Sequence, residues 1–199
     1  MPKTTNLEQG IRLIESRINE LYTGENIVFV GVAGGSCSGK SYLSNRLRGK
    51  LGIKILSMDD YYKGKDFMEQ DNYDITDSIE LGLFENHLSE LRRWNWINKP
   101  IYDFKENIRM GYESFKPEDK LIVEGLFCFY NRIRDLIDIK VFVDAYEDIR
   151  LNRGLERDVV RQGHTEYQIM EQWDKEVQPC YLEYVEHQKQ YADIIIKNE

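Results

Sequence analysis

Lys40 is the one charged residue in the stretch GVAGGSCSGKS, residues 31–41, with glycines at 34, 35 and 39 before it and hydroxyls at 36, 38 and 41 around it. Bare backbone beside a single ammonium suits a phosphate chain, which carries several charges and has acceptor oxygens on every side. Gly34, Gly35 and Gly39 leave the amides uncovered and permit positive φ. A helix starting near Lys40 would aim its free N–H groups and the positive end of its dipole at the same point. The spacing from Gly34 to Ser41 is that of the P-loop, G-x-x-x-x-G-K-[ST]. In this reading Lys40 reaches the β- and γ-phosphates, and the Ser41 hydroxyl ligates magnesium. Ser36, Cys37, Ser38 and Tyr42 complete the stretch that contacts the nucleotide.

Other residues suit the remaining parts of a phosphoryl transfer. Asp59 and Asp60 follow an apolar run in ILSMDDYY, residues 55–62. An acceptor hydroxyl needs its proton taken and its oxygen aligned with the γ-phosphate, and one aspartate there can do both. The pair would equally suit a solvated turn. Glu124 closes the apolar run of LIVEGLF, where an acid can hold a magnesium shell directly or through water, or simply face solvent. Arg150, Arg153, Arg157 and Arg161 fall at steps of three and four, along one stripe of a helix. Guanidinium forks match phosphate oxygens, so the stripe reads as a lid over a triphosphate. The plain alternative is an exposed face paired with Glu147, Glu156 and Asp158. Tyr62, Tyr73 and Tyr102, with Asp74 and Asn107, offer faces for a planar ring and polar groups for its edge, although aromatics are also core material. Gln172, in the last helical stretch, is counted with these acceptor-binding residues.

Elements must bring these groups together. The P-loop follows the apolar run that starts at Ile27, and four more strand-length runs follow: Ile53–Ser57, Leu121–Val123, Ile139–Val143 and Ala192–Ile196. Their Ile, Val and Leu do not alternate with polar residues, which indicates strands buried on both faces of a parallel sheet with helices on either side. The fold class expected is therefore α/β, a five-stranded parallel sheet of P-loop NTPase type. Leu7, Ile11, Ile14, Ile18 and Leu21 recur at helical spacing, so residues 1–24 read as an amphipathic helix ended by Gly24. Residues 59–118 break the strand–helix rhythm with a polar aromatic loop, a helix around Ser78 to Trp96, and a hairpin-like segment. Ligands sit beyond the carboxyl ends of strands in open α/β sheets, so this insertion is the expected acceptor site. Ile169, Trp173, Val177, Tyr181 and Tyr184 read as a packing face, kinked by Pro179.

The chain has 199 residues, enough for one domain with a modest insertion. Its 35 acidic and 27 basic side chains, with no long basic run, argue against a nucleic-acid partner. No apolar run approaches the ~20 residues of a membrane span, and the N-terminal segment resembles neither a secretory signal nor a transit peptide. Cys37, Cys128 and Cys180 are odd in number and widely spaced, which fits reduced thiols in a cytoplasmic protein.

The motifs GVAGGSCSGKS, ILSMDDYY, NYDITD, PIYDF, LIVEGLFCFY, KVFVDAYEDIRLNR and YADIIIK occur in this order. In order and near spacing they resemble the uridine/cytidine kinases of the phosphoribulokinase-like P-loop group, from about Ile27 to Lys197. The resemblance implies transfer of the γ-phosphate of ATP or GTP, with Mg2+, to the 5′-hydroxyl of a pyrimidine ribonucleoside. It implies Asp59 as base, Glu124 at the metal, Asp74 on the ribose hydroxyls, Tyr102 at the base, Tyr73 stacking and Arg157 on phosphates. Members of the family often form tetramers, a state the sequence leaves open. Departures from the family fall at the acceptor and in the lid. Asn107 replaces a family histidine, Gly154 an arginine, and Gln162 and His164 two lid arginines. Three alternatives therefore stand beside the pyrimidine nucleoside: nicotinamide riboside, another small alcohol of the same reaction class, and nucleotide binding without turnover. A regulatory GTPase is disfavoured, because NKPI at Asn98 lacks the aspartate of N-K-x-D.

Overall fold

The computed structural model describes residues 2–68, 72–162 and 165–199, with residues 161 and 162 given by backbone alone. In chain order the main elements are β1 (Lys3–Asn6), α1 (Leu7–Leu21), β2 (Val28–Gly34), α2 (Lys40–Leu51), β3 (Lys54–Ser57), α3 (Leu81–Arg92), β4 (Ile97–Asp103), β5 (Ile108–Phe115), β6 (Lys120–Glu124), β7 (Ile139–Asp144), α4 (Glu147–Gln162), α5 (Glu166–Gln172) and β8 (Ile194–Lys197). The main sheet has the order β1-β8-β7-β2-β6-β3 and is parallel throughout.

The sheet therefore has six strands, where five were expected. The extra strand, β1, has the sequence KTTN and buries only Thr5. It carries no apolar run because it lies at an edge and is held by backbone pairing, Lys3 opposite Ile194 through Asn6 opposite Lys197. In place of the single N-terminal helix expected over residues 1–24 stand a strand and then α1, capped by the Asn6 side chain on the Gln9 amide.

Central β2 explains the absence of alternation. Phe29 and Ala33 pack into a core with Phe84, Leu88, Phe127, Phe129 and Phe142. Val28, Val30 and Val32 pack into a second core with Ile11, Ile14, Ile18, Leu43 and Leu47, on the other face. Both faces being covered, every residue of β2 is buried. Its neighbours lead away in opposite directions, β6 towards β3 and β7 towards β8, so a crevice opens at its carboxyl end.

The insertion at 59–118 contains short 3-10 turns, α3, and the antiparallel hairpin β4–β5 with a bulge between Ile101 and Tyr102. The last helical stretch does not kink simply at Pro179. α5 continues into wider π turns at Trp173–Val177 and Tyr181–Val185, with Pro179, which has no N–H to donate, between them. A spacing of four is longer than the α period, and the wider winding keeps Ile169, Trp173, Tyr181 and Val185 buried together on one side.

Candidate active site

The glycine-rich turn leaves β2 at the sheet's carboxyl edge and enters α2 through Gly39. Gly34 and Gly39 have φ of 149° and 101°. A side chain on Gly34 would strike the Val143 carbonyl, and one on Gly39 would strike the amide of Asn198. Lys40 Nζ rests on the Gly35 carbonyl at 2.9 Å, within the loop it is expected to serve. Cys37 also has positive φ, 61°. Burial raises its thiol above the ordinary range, which gives no sign of redox activation.

Asn198, which carried no sequence signal, and Arg153 of the expected arginine stripe both hold the loop's carbonyls. Asn198 Nδ2 donates to the Ser38 carbonyl at 2.7 Å, and Arg153 donates to the same carbonyl at 3.4 Å and to the Asn198 carbonyl at 3.2 Å. In a trans peptide the carbonyl and the following N–H point in opposite directions. With the Ser38 carbonyl held by Asn198 and Arg153, the Gly39 amide therefore points away from those two side chains. Ser38 and Gly39 are thus oriented by the far end of the chain.

Ser41 Oγ donates to Glu124 Oε1 at 3.2 Å. The second carboxylate oxygen, Oε2, is buried with no hydrogen-bond partner among the described residues. Magnesium takes few protein oxygens and fills its octahedron with water and phosphate oxygens, so this hydroxyl and unmatched carboxylate oxygen fit it. Among the described residues no group of three or more His, Cys, Asp or Glu could hold a metal alone.

The two adjacent aspartates part company. Both lie in the 3-10 turn Met58–Tyr61 past the end of β3. Asp60 Oδ2 accepts from Lys99 Nζ at 2.7 Å. Asp59 faces the P-loop, where burial pushes its carboxyl up to about 6 against the attraction of Lys40, with Glu124 and Asp60 raising it further. A carboxylate raised towards neutrality beside the P-loop lysine is suited to general-base work. Asp74 also reaches the loop, accepting from Ser36 Oγ at 2.7 Å; burial raises its carboxyl, against the pull of that bond and of Lys40 and Arg157.

An aromatic wall stands beside these acids. Tyr62 lies 5.3 Å from Tyr73, 5.6 Å from Tyr102 and 6.3 Å from Phe104 between ring centres. Phe104, whose place in the chain gave no sign of a site role, is more than half exposed and 5.0 Å from Tyr102. Asn107 sits in the hairpin turn with φ of 55°, and its carbonyl accepts the Lys65 amide at 2.9 Å.

Not all expected residues gather here. Arg150 is 1% exposed, stacked 3.9 Å from the Tyr181 ring centre and bonded to Gln178 Oε1, so it packs beneath Gly35 instead of lining an open lid. Arg157 lies near Asp59, Asp74 and Cys37 and forks onto its neighbour Asp158 at 2.7 and 2.8 Å. The side chains of Arg161 and Gln162, and the whole of His164, lie outside the described residues. Tyr42 is 53% exposed and turned to Arg46, so its ring does not line the loop. Gln172 is exposed and donates to Glu176 on the next turn. A side chain on Gly154 would meet Cys37 and Trp173 at ordinary contact distance, 3.6 Å, so the helix lies close to the loop there.

The sequence pattern of the Phosphoribulokinase / Uridine kinase family matches residues 29–199. Among similar curated proteins, the uridine kinase of Clostridium novyi (strain NT) is 36% identical over 85% of this chain and 86% of its own length. That of Leuconostoc citreum (strain KM20) is 40% identical over 84% and 85%. A solved structure described as a possible uridine kinase from Bacillus stearothermophilus superposes with a TM-score of 0.71 at 16% identity, over 96% of this chain and 98% of that one, which supports the same fold. A family pattern over most of the chain and relatives above a third identical agree with the P-loop, the strand-end acids and the inserted hairpin: the chain belongs to the phosphoribulokinase/uridine kinase family.

Proposed function

We propose that this chain is a nucleoside kinase that transfers the γ-phosphate of ATP or GTP to the 5′-hydroxyl of uridine or cytidine, a step of pyrimidine salvage in the cytoplasm. The observation that carries this reading is the separation of the two aspartates, one tied to Lys99 and the other near enough to Lys40 of the P-loop and to Glu124 to feel both charges. The uridine kinase names of the relatives give the acceptor class.

In this mechanism Lys40 leaves the Gly35 carbonyl and moves onto the β- and γ-phosphates, while free backbone amides of the loop and of the first turn of α2 bind the remaining oxygens. Ser41 and Glu124 would hold magnesium, which screens phosphate charge when bound. Asp59 accepts the proton of the attacking hydroxyl as the oxygen–phosphorus bond forms and the bond to the leaving diphosphate breaks. Asp74 accepts hydrogen bonds from the vicinal ribose hydroxyls, and Tyr62, Tyr73 and Tyr102 take the planar base on their faces, with Asn107 near its edge. Arg157 exchanges Asp158 for phosphate as negative charge moves to the leaving group. Arg153 supports the loop through its carbonyls.

The test is a coupled phosphotransfer assay with uridine, cytidine, nicotinamide riboside and small sugar alcohols under one set of conditions. Preferred turnover of a pyrimidine ribonucleoside is expected. Preference for nicotinamide riboside, or no phosphorylation of either pyrimidine nucleoside, would reject the acceptor assignment.

A further inference from the structure

We propose that Lys99 is a positioning residue for phosphoryl transfer, holding the turn that carries Asp59 against the hairpin that walls the acceptor pocket. The inference rests on the reading of Asp59 as the general base. Lys99 of β4 stands opposite Glu113 of β5 in the hairpin ladder, so their side chains leave on one face. Lys99 Nζ reaches Glu113 at 2.8 Å and Asp60 at 2.7 Å, and its side chain is only 11% exposed. A lysine so enclosed is costly unless paired, and an apolar residue of similar size is often no worse for stability. What the charge adds is a fixed connection between two segments far apart in sequence.

Arg109 of β5 makes the second hold. It donates to the Tyr62 carbonyl at 2.9 Å while pairing with Glu80 at 2.7 Å. The hairpin thus grips the turn just after Asp59 at two points, through the Asp60 carboxylate and through the backbone at Tyr62. The same hairpin carries Tyr102, in contact with Tyr62. The placement of the base relative to the pocket wall passes through Lys99. Lys99 also balances the charge of Asp60, which would otherwise stand unpaired beside its neighbour.

Lys99→Met keeps the buried stem and removes the cation. Steady-state kinetics are measured with the acceptor the wild-type protein turns over best, so failure with uridine would bear on the acceptor assignment and not on Lys99. A misplaced base should lower kcat about ten- to hundredfold, while the KM for nucleotide stays within about twofold because the P-loop is untouched. Lys99→Arg, which can still bridge the two carboxylates, should recover most of the lost kcat. Wild-type kcat in Lys99→Met would overturn the assignment, as would a loss shared equally by nucleotide affinity, or an arginine variant as slow as the methionine one. If Lys99→Met does not fold, Asp60→Leu cuts the same connection from a more exposed position; the same fall in kcat is expected, and an unchanged kcat refutes the proposal.

Discussion

Replacing Asp59 by asparagine tests the division of labour between two neighbouring acids. In the nucleotide-free protein the Asp59 carboxyl is raised from an ordinary 3.8 to about 6, chiefly because its cleft strips away water. Lys40 and Arg157 pull it down, and Glu124 and Asp60 push it up, without cancelling the burial. The working form is the ionised carboxylate, so activity is present above this value and lost as pH falls through it. At pH 5 about a tenth of such a base remains ionised, whereas an unshifted aspartate would be more than about nine-tenths ionised. The kcat/KM profile for nucleotide, which reports the free protein, should therefore bend near pH 6 and fall about tenfold per unit below it. Asp59→Asn should abolish that bend and lower kcat by about two to four orders of magnitude, the range for loss of a positioned general base. Asp60→Asn keeps an oxygen that accepts from Lys99, so its loss should be smaller and the bend should remain. The assay is a phosphotransfer series from pH 4.5 to about 8, with folding checked at each pH because acid can unfold a chain by the same linkage. A wild-type profile flat to pH 5, or an Asp60 variant slower than the Asp59 variant, would refute the assignment.

Lys40→Ala should reduce turnover to background with little change in melting temperature, since the side chain's bond is to the Gly35 carbonyl of the loop itself; near-normal turnover would contradict its place on the phosphates. Asn198→Ala removes a bond worth about 1 kcal/mol and loosens the Ser38 carbonyl, so the KM for nucleotide should rise about fivefold with the acceptor KM unchanged, and calorimetric titration of a non-hydrolysable nucleotide checks it directly. Ribonucleosides should exceed their 2′-deoxy analogues by about one to two orders of magnitude in kcat/KM, because an unmet hydrogen bond at Asp74 costs about 1–3 kcal/mol. Equal rates for uridine and 2′-deoxyuridine would remove Asp74 from the ribose.

Composition and spacing by themselves determined the parallel α/β sheet, the P-loop and the sheet edge at which chemistry gathers. The reasons are local: a strand buried on both faces must be apolar without alternation, and an amide nest around phosphate must be bare. Glycine, lysine and hydroxyl at fixed offsets are therefore legible in the chain order alone. Edge strand β1 was not legible, because backbone pairing with β8 holds it and leaves no demand on three of its four side chains. Nor could spacing alone decide between Asp59 and Asp60, which differ only in what the hairpin brings against them: Lys99 is 39 residues from Asp60 in sequence and 2.7 Å away in space. The arginine stripe had the right period, yet helix periodicity sets only which residues share a face and not what that face meets. Packing of α4 put Arg150 against Tyr181 and Trp173 and left Arg153 to hold the loop's carbonyls. Asn198 is the extreme case, an ordinary amide 160 positions from Ser38. Its role exists only because the sheet brings the end of β8 beneath the turn that follows β2, and side-chain hydrogen bonds of that reach are properties of the assembled fold.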